Sequence, residues 1–280
     1  MKITALSTGR LRLKPTFLQG SPAHGGQIGL IRAIGRDPGW TQPLPMWSWI
    51  IETGSERILI DAGGRPGASG GPTRTRFDIS EDQALVPELA RRGLTPADVD
   101  RVLLTHLHGD HVGGLEAFDQ RRVWVARAEW APVAHLPGRL LRFLTAPVPR
   151  GFVPNVFDFD GPALLGFPGS WPVTADGAIV ALPTQGHSPG HTSFLVRRPE
   201  GDVLVAGDVT YDLPALHDQR DQGFIAKPEE HRVTLARVLS LVRGGVAYLP
   251  SHDPESPVRL AGQPRPSTTP SPAARPARTR

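Results

Sequence analysis

Residues 104–114 read LTHLHGDHVGG, and this run limits the possible folds more than any other part of the chain. His106, His108, Asp110 and His111 crowd into six residues. Such groups are costly to bury, and imidazoles packed beside a carboxylate in one short loop have no apolar packing role. A shared cation accounts for them. In an extended loop the side chains of His106 and His108, two residues apart, point the same way and can reach one ion. Asp110 and His111 are adjacent and leave in another direction. Neither half of the loop supplies enough ligands alone, so the fold must bring others from distant segments.

The rest of the chain offers them at the ends of later strands: His187 in TQGHSPGHTS, Asp208 in LVAGDVTYD and His252 in YLPSHDP. The sequence has no cysteine, so any metal must be held by nitrogen and oxygen, and thiolate nucleophiles and disulfides are excluded.

The pattern around these clusters alternates strand and helix. Met46–Glu52 and Arg57–Asp61 read as a hairpin across the turn Thr53-Gly54-Ser55-Glu56. Ser80 opens a capping-box pattern with Gln83, and Leu85, Leu89 and Leu94 follow at helical spacing, which predicts a helix over 81–94. Thr95-Pro96 starts a further turn, and Arg101–Leu104 is a short apolar strand leading straight into the histidine loop. Strands are predicted at Ala178–Leu182, Ser193–Arg197, Asp202–Ala206 and Val246–Leu249, with a helix at Glu229–Val242. Pro132–Trp171, rich in Pro, Gly and Phe, resists assignment and has the character of a segment covering a site. The expected architecture is α/β, one or two sheets with helices outside and sites collected at strand ends.

The formal charge is +4, and the last twenty residues carry Arg265, Arg275, Arg278 and Arg280 with no acid, so removing these four leaves residues 1–260 formally neutral. The reading is one domain over 1–260 and a disordered, basic, Pro-rich tail over 261–280. A neutral body argues against nucleic acid as a partner. Neither an apolar leader nor a membrane span stands out, which predicts a cytoplasmic protein.

HLHGDH followed in order by GHSPGH, AGD and SHD resembles the metallo-β-lactamase superfamily, over roughly residues 46–253. The resemblance implies an αββα sandwich of two mixed β-sheets. It also implies that His106, His108 and His187 bind one divalent ion, that Asp110, His111 and His252 bind a second, and that Asp208 bridges them. Asp61 in LIDAGG matches the motif whose aspartate supports the site from behind. The implied chemistry is hydrolysis by a hydroxide shared between two metals, with Asp110 orienting it or carrying a proton. Zinc is the expected metal, and manganese, iron and cobalt suit the same donors. His191, the second histidine of GHSPGH, is expected to bond locally, and His24, His135, His217 and His231 lie outside any motif.

GDVTYD places Tyr211 three residues after Asp208, which is similar to the N-acyl homoserine lactonases, as are the LSTGRLRL and PLPMWSWIIETGSERILIDAGG stretches. A protonated phenol there suits ester opening. The expected partner is a small carbonyl ester, and a homodimer is allowed for. HLHGDH, with Gly109 where many lactonases carry a bulkier residue, is equally similar to the tRNA 3′-processing nucleases. Phosphoester, organophosphate and thioester hydrolysis, and binding without catalysis, stay open. Trp47, Trp49, Phe143, Phe152 and Phe157 are read as favouring an apolar ligand, with a place in the core as the alternative for most of them.

Overall fold

The computed structural model describes residues 1–20, 25–70, 75–134 and 148–262. The tail beyond 262, His24, His135 and Phe143 fall outside the described residues.

The first sheet contains β1 (Lys2–Arg12), β2 (Leu44–Glu52), β3 (Arg57–Ile60), β4 (Ser69–Gly70), β5 (Thr75–Asp78), β6 (Arg101–Leu103), β7 (Val123–Ala126) and β8 (Asn155–Phe157). Its order is β4-β5-β1-β2-β3-β6-β7-β8. The second contains β9 (Trp171–Pro172), β10 (Ile179–Pro183), β11 (Thr192–Val196), β12 (Val203–Gly207) and β13 (Ala247–Pro250), in the order β13-β12-β11-β10-β9. Both are mixed: β1, β2 and β3 pair antiparallel while β3, β6, β7 and β8 run parallel, and β12 pairs parallel with β13.

The period of two in each strand explains the layering. Trp49 and Ile51 of β2, Ile58 and Ile60 of β3 and Leu103 of β6 face Ala181, Phe194 and Val205 of the second sheet in one core. Their neighbours Ile50, Leu59 and Val102 point the other way, into a cluster with Leu85 and Leu89 of α2 (Leu85–Ala90). On the outer face of the second sheet, Leu182, Leu195 and Leu204 pack on Leu235, Val238 and Leu239 of a long helix, Pro228–Arg243. Strands buried on both faces read as continuous apolar runs such as MWSWII, and burying each such side chain contributes about 2 kcal/mol. The result is the expected αββα sandwich.

The predicted strands fall within two residues of those observed. The helix over 81–94 is a correction. Glu81–Gln83 is a single 3-10 turn, with the Ser80–Gln83 capping box in place, and α2 begins only at Leu85. Pro87 has no N–H to give, and its ring would strike the carbonyl of Gln83 in a continuous helix, so the chain breaks at the extended Ala84. Sequence patterning also missed α1 (Gln27–Arg36), although Leu30 and Ile34 repeat there at helical spacing, and the helix Arg127–Ala134, whose apolar residues do not repeat cleanly and which holds Pro132. Among the described residues no helix is long and apolar enough to cross a membrane.

Candidate metal centre

Every expected ligand lies just past the C-terminal end of a strand. β6 runs into Thr105 and His106, β12 into Asp208, β13 into Ser251 and His252, and the β10–β11 hairpin loop carries His187. After the extended His108, a one-turn helix, α3 in chain order (Gly109–Val112), turns Asp110 and His111 away from the first two histidines. The two glycines that close LTHLHGDHVGG have a packing reason. A Cβ on Gly113 would lie 2.3 Å from the Arg65 nitrogen, and one on Gly114 would lie 2.6 Å from the Ala62 carbonyl oxygen. The loop is pressed against the chain leaving β3.

Two groups form. His106, His108, His187 and Asp208 make one, and Asp110, His111, Asp208 and His252 the other, with the ligand atoms of each within 4.8 Å of one another. His108 Nδ1 lies 2.9 Å from His106 Nε2 and 3.0 Å from His187 Nε2. Asp208 turns Oδ2 toward His187 Nε2 at 3.6 Å and His106 Nε2 at 4.0 Å. Its Oδ1 faces His252 Nε2 at 3.3 Å and His111 Nε2 at 3.4 Å. Asp110 Oδ2 lies 3.3 Å from His252 Nε2.

The groups behind these ligands fix their tautomers. Asp61 takes a left-handed backbone, φ 60°, and its carboxylate accepts from the Thr105 N–H and hydroxyl, both at 2.8 Å. With its own proton given to Asp61, the Thr105 hydroxyl accepts from His106 Nδ1 at 3.0 Å. His111 Nδ1 donates to Asp61 Oδ2 at 2.7 Å and His252 Nδ1 to the Pro45 carbonyl at 2.9 Å. All three rings therefore turn Nε2 inward, toward the ligand groups. His191 bonds locally, as expected. It accepts from the Asp208 N–H at 3.0 Å and meets the Thr184 hydroxyl at 2.9 Å, and burial holds its pKa to about 3.

These residues fit divalent cations. Among the described residues Asp208 Oδ1 and His111 Nε2 are buried and face each other at 3.4 Å without a well-formed hydrogen bond, a costly arrangement for polar atoms. Burial lowers the pKa of His106 and His187 well below the ordinary value, so both present lone pairs. Burial alone would also depress His111 and His252. The negative charge of Asp208, with Asp61 and Asp110 near His111 and Asp110 near His252, instead raises His111 well above its ordinary value and His252 to about 10. Burial opposes ionisation of Asp208, but His252 and His111 outweigh it and hold its carboxyl well below the usual range. The acidic half of the centre calls for positive charge.

The family model described as the metallo-beta-lactamase superfamily matches residues 41–252. The chain belongs to the metallo-beta-lactamase superfamily. N-acyl homoserine lactonase AttM of Azorhizobium caulinodans is 30% identical over 194 residues, covering 64% of this chain and 67% of that protein. N-acyl homoserine lactonase AiiA of Bacillus thuringiensis subsp. kurstaki is 27% identical over 192 residues, covering 65% and 70%. In fold, the chain matches an N-acyl homoserine lactone hydrolase solved with N-hexanoyl-L-homoserine at its catalytic metal centre. The TM-score is 0.70 at 22% identity, over 92% of this chain and 95% of that one. It also matches AidC, a dizinc quorum-quenching lactonase, with TM-score 0.64 at 14% identity over 90% and 87%. This metallo-beta-lactamase superfamily member is thus a metal-dependent hydrolase related to N-acyl homoserine lactonases, and its His/Asp cluster is that of a dinuclear divalent site.

Tyr211 stands beside the centre, its ring centroid 5.2 Å from that of His252 and 6.4 Å from that of His187. Of the other aromatic residues, the core alternative holds: Trp49 and Phe157 sit in the core between the sheets, Phe152 packs beneath the first sheet, and Trp47 donates its indole N–H to the Asp253 carbonyl. Tyr211 itself belongs to a buried cluster with Phe17, Leu30, Ile34 and Met46, with Phe224 packed against it. His217 ends a short helix, and His231 is buried at the start of the long helix Pro228–Arg243; neither belongs to either ligand group. Sequence reasoning also missed Glu129, whose acid in the stretch RAEW reads as an ordinary helix-start residue.

Proposed function

We propose that this chain opens a small carbonyl ester, a lactone of the acyl homoserine lactone kind, at a pair of zinc ions. His106, His108 and His187 hold one ion, Asp110, His111 and His252 the other, and Asp208 bridges them. The observation that carries the proposal is the division of Asp208 between two ligand groups, one oxygen facing each. Residues 1–260 act in this reading as a single hydrolase domain.

Two divalent ions so held would bring the pKa of a shared water down to about 7 and polarise the scissile carbonyl. The chain's own residues do the rest. Asp110 orients the attacking water and takes up its proton. Tyr211 is 6% exposed, and burial, with the charges of Asp208 and Asp110, pushes its pKa well above the ordinary value. Its phenol stays protonated at neutral pH, makes no hydrogen bond to a described residue, and is free to donate to the carbonyl oxygen as charge builds there. The lactonase names of AttM and AiiA support the substrate class.

A substrate panel tests this: an acyl homoserine lactone, a phosphodiester, an organophosphate and a thioester offered to zinc-loaded protein. The lactone should turn over fastest, and Tyr211→Phe should lower its kcat about 100-fold with metal content unchanged. Faster phosphoester or thioester hydrolysis, or lactone kinetics untouched by Tyr211→Phe, would reject the lactone assignment.

A further inference from the structure

His187 stands in the β10–β11 loop and His106 and His108 in the loop after β6, so one ligand group is split between two segments and two sheets. Something must hold the loops at a fixed span. Asp61 does not, because its bonds go to Thr105 and His111, within the loop after β6. The His187 Nε2 to His108 Nδ1 contact involves ligand atoms themselves, and the Thr192 N–H donates to the Thr105 carbonyl at 2.9 Å beside the strand ends, short of the span between the ligands.

Glu129 lies on the helix Arg127–Ala134 directly after β7, and it is 6% exposed although ionisable. Its Oε1 accepts from the backbone N–H of Leu107, between His106 and His108, at 3.1 Å. Its Oε2 accepts from the Ser188 hydroxyl at 2.7 Å and the Gly190 N–H at 2.8 Å, both in the loop that carries His187. One carboxylate thus ties both ligand loops from behind. Gly190 has room for no side chain, since a Cβ there would lie 2.1 Å from the Glu129 nitrogen, so the loop is seated on the start of this helix. Among the described residues no basic side chain lies within ion-pair distance of Glu129, and its bonds come from neutral donors that orient loops.

We propose that Glu129 is a positioning residue that sets the span between His106, His108 and His187, and thereby the affinity of that one ligand group for its ion. The proposal rests on the two-metal reading above. The group of Asp110, His111 and His252 receives no bond from Glu129 and is held by Asp61 and the Pro45 carbonyl. Loss of Glu129 should therefore weaken one ion and spare the other. Gln at this position cannot substitute fully: its amide NH2 replaces one carboxylate oxygen and sets a donor against an N–H donor from Leu107 or Gly190.

The experiment loads wild type and Glu129→Gln with zinc, dialyses each against rising chelator and counts bound ions, while circular dichroism follows the fold. Wild type should release its two ions over one range. Glu129→Gln should release the first ion at a chelator concentration 10- to 100-fold lower and the second where wild type does. Saturating zinc should restore its lactone kcat, with KM unchanged. Ser188→Ala removes a single bond and keeps the carboxylate, so it should shift the same ion less and covers the case in which Glu129→Gln does not fold. Equal weakening of both ions, or no shift in either variant, would overturn the positioning role. A wild type that binds fewer than two ions would instead reject the dinuclear reading itself, and the two failures are told apart by the wild-type count alone.

Discussion

At the scale of single residues, the two ligand groups share one carboxylate, that of Asp208. Asp208→Ala should leave less than one zinc per chain by elemental analysis, because both groups lose a ligand, whereas His187→Ala should retain the ion held by Asp110, His111 and His252. Asp61→Asn keeps a residue that tolerates the left-handed backbone at φ 60° but removes the charge that holds the His111 tautomer. Metal affinity should fall about 10- to 100-fold in a chelator competition. The residues nearest the metals were legible because HLHGDH is dense with groups that have no other use. Glu129 and Thr105 were not, because a lone acid or hydroxyl carries no spacing signal until the partners it bonds are known.

At the scale of elements, α2 reaches the first sheet through Glu88, which is 5% exposed. Its carboxylate accepts from the Ser7 N–H of β1 at 3.1 Å and pairs with Arg91 at 2.6 Å and Arg92 at 2.7 Å. Both arginines are partly solvated, so their contribution is modest, and the orphaned Ser7 N–H sets the cost. Glu88→Ala should lower unfolding stability by about 2 kcal/mol in urea with zinc content unchanged. A second device sits at the start of the helix Pro228–Arg243. His231 is fully buried, neither ring nitrogen is hydrogen-bonded among the described residues, its Nε2 lies 3.6 Å from Asp221 Oδ1, and burial, aided by the charge of Arg232, holds its pKa to about 4 against an ordinary 6.5. Between pH 6.5 and 4 the unfolded chain takes up a proton that the folded chain refuses, so stability present at neutral pH is lost as pH falls through that window. The loss amounts to about 3 kcal/mol at its fullest. In chelator-treated protein, His231→Leu should flatten the fall in urea midpoint between pH 7 and pH 5 relative to wild type. The strands were legible from runs such as RVLL and MWSWII. α2 was misplaced because its period was visible while the barrier at Pro87 was overlooked.

At the scale of the whole molecule, ligands from both sheets meet at the same end of the sandwich, so bound ions would add a cross-link to the apolar layer of Trp49, Leu103, Phe194 and Val205 and to hydrogen bonds such as Trp47 N–H to the Ser251 carbonyl and Thr192 N–H to the Thr105 carbonyl. An ion present at 100 times its dissociation constant stabilises the folded chain by about 2.7 kcal/mol. Chelation should accordingly lower the thermal midpoint by several degrees, and zinc should restore both the midpoint and hydrolysis. A melting curve indifferent to chelator would mean that the centre does not link the sheets.

By itself, the sequence determined the alternation of strands and helices, since each has its own apolar period, and the need of HLHGDH for a shared cation, since crowded imidazoles and a carboxylate have no packing role; the αββα sandwich and the further ligands His187, Asp208 and His252 came from the resemblance to the metallo-β-lactamase superfamily. Only the tertiary structure decided which aromatic side chains face the centre and which fill the core, how Asp208 divides its oxygens, and that Glu129 joins two loops. These depend on contacts between residues far apart in the chain, and a one-dimensional pattern carries no distance between them.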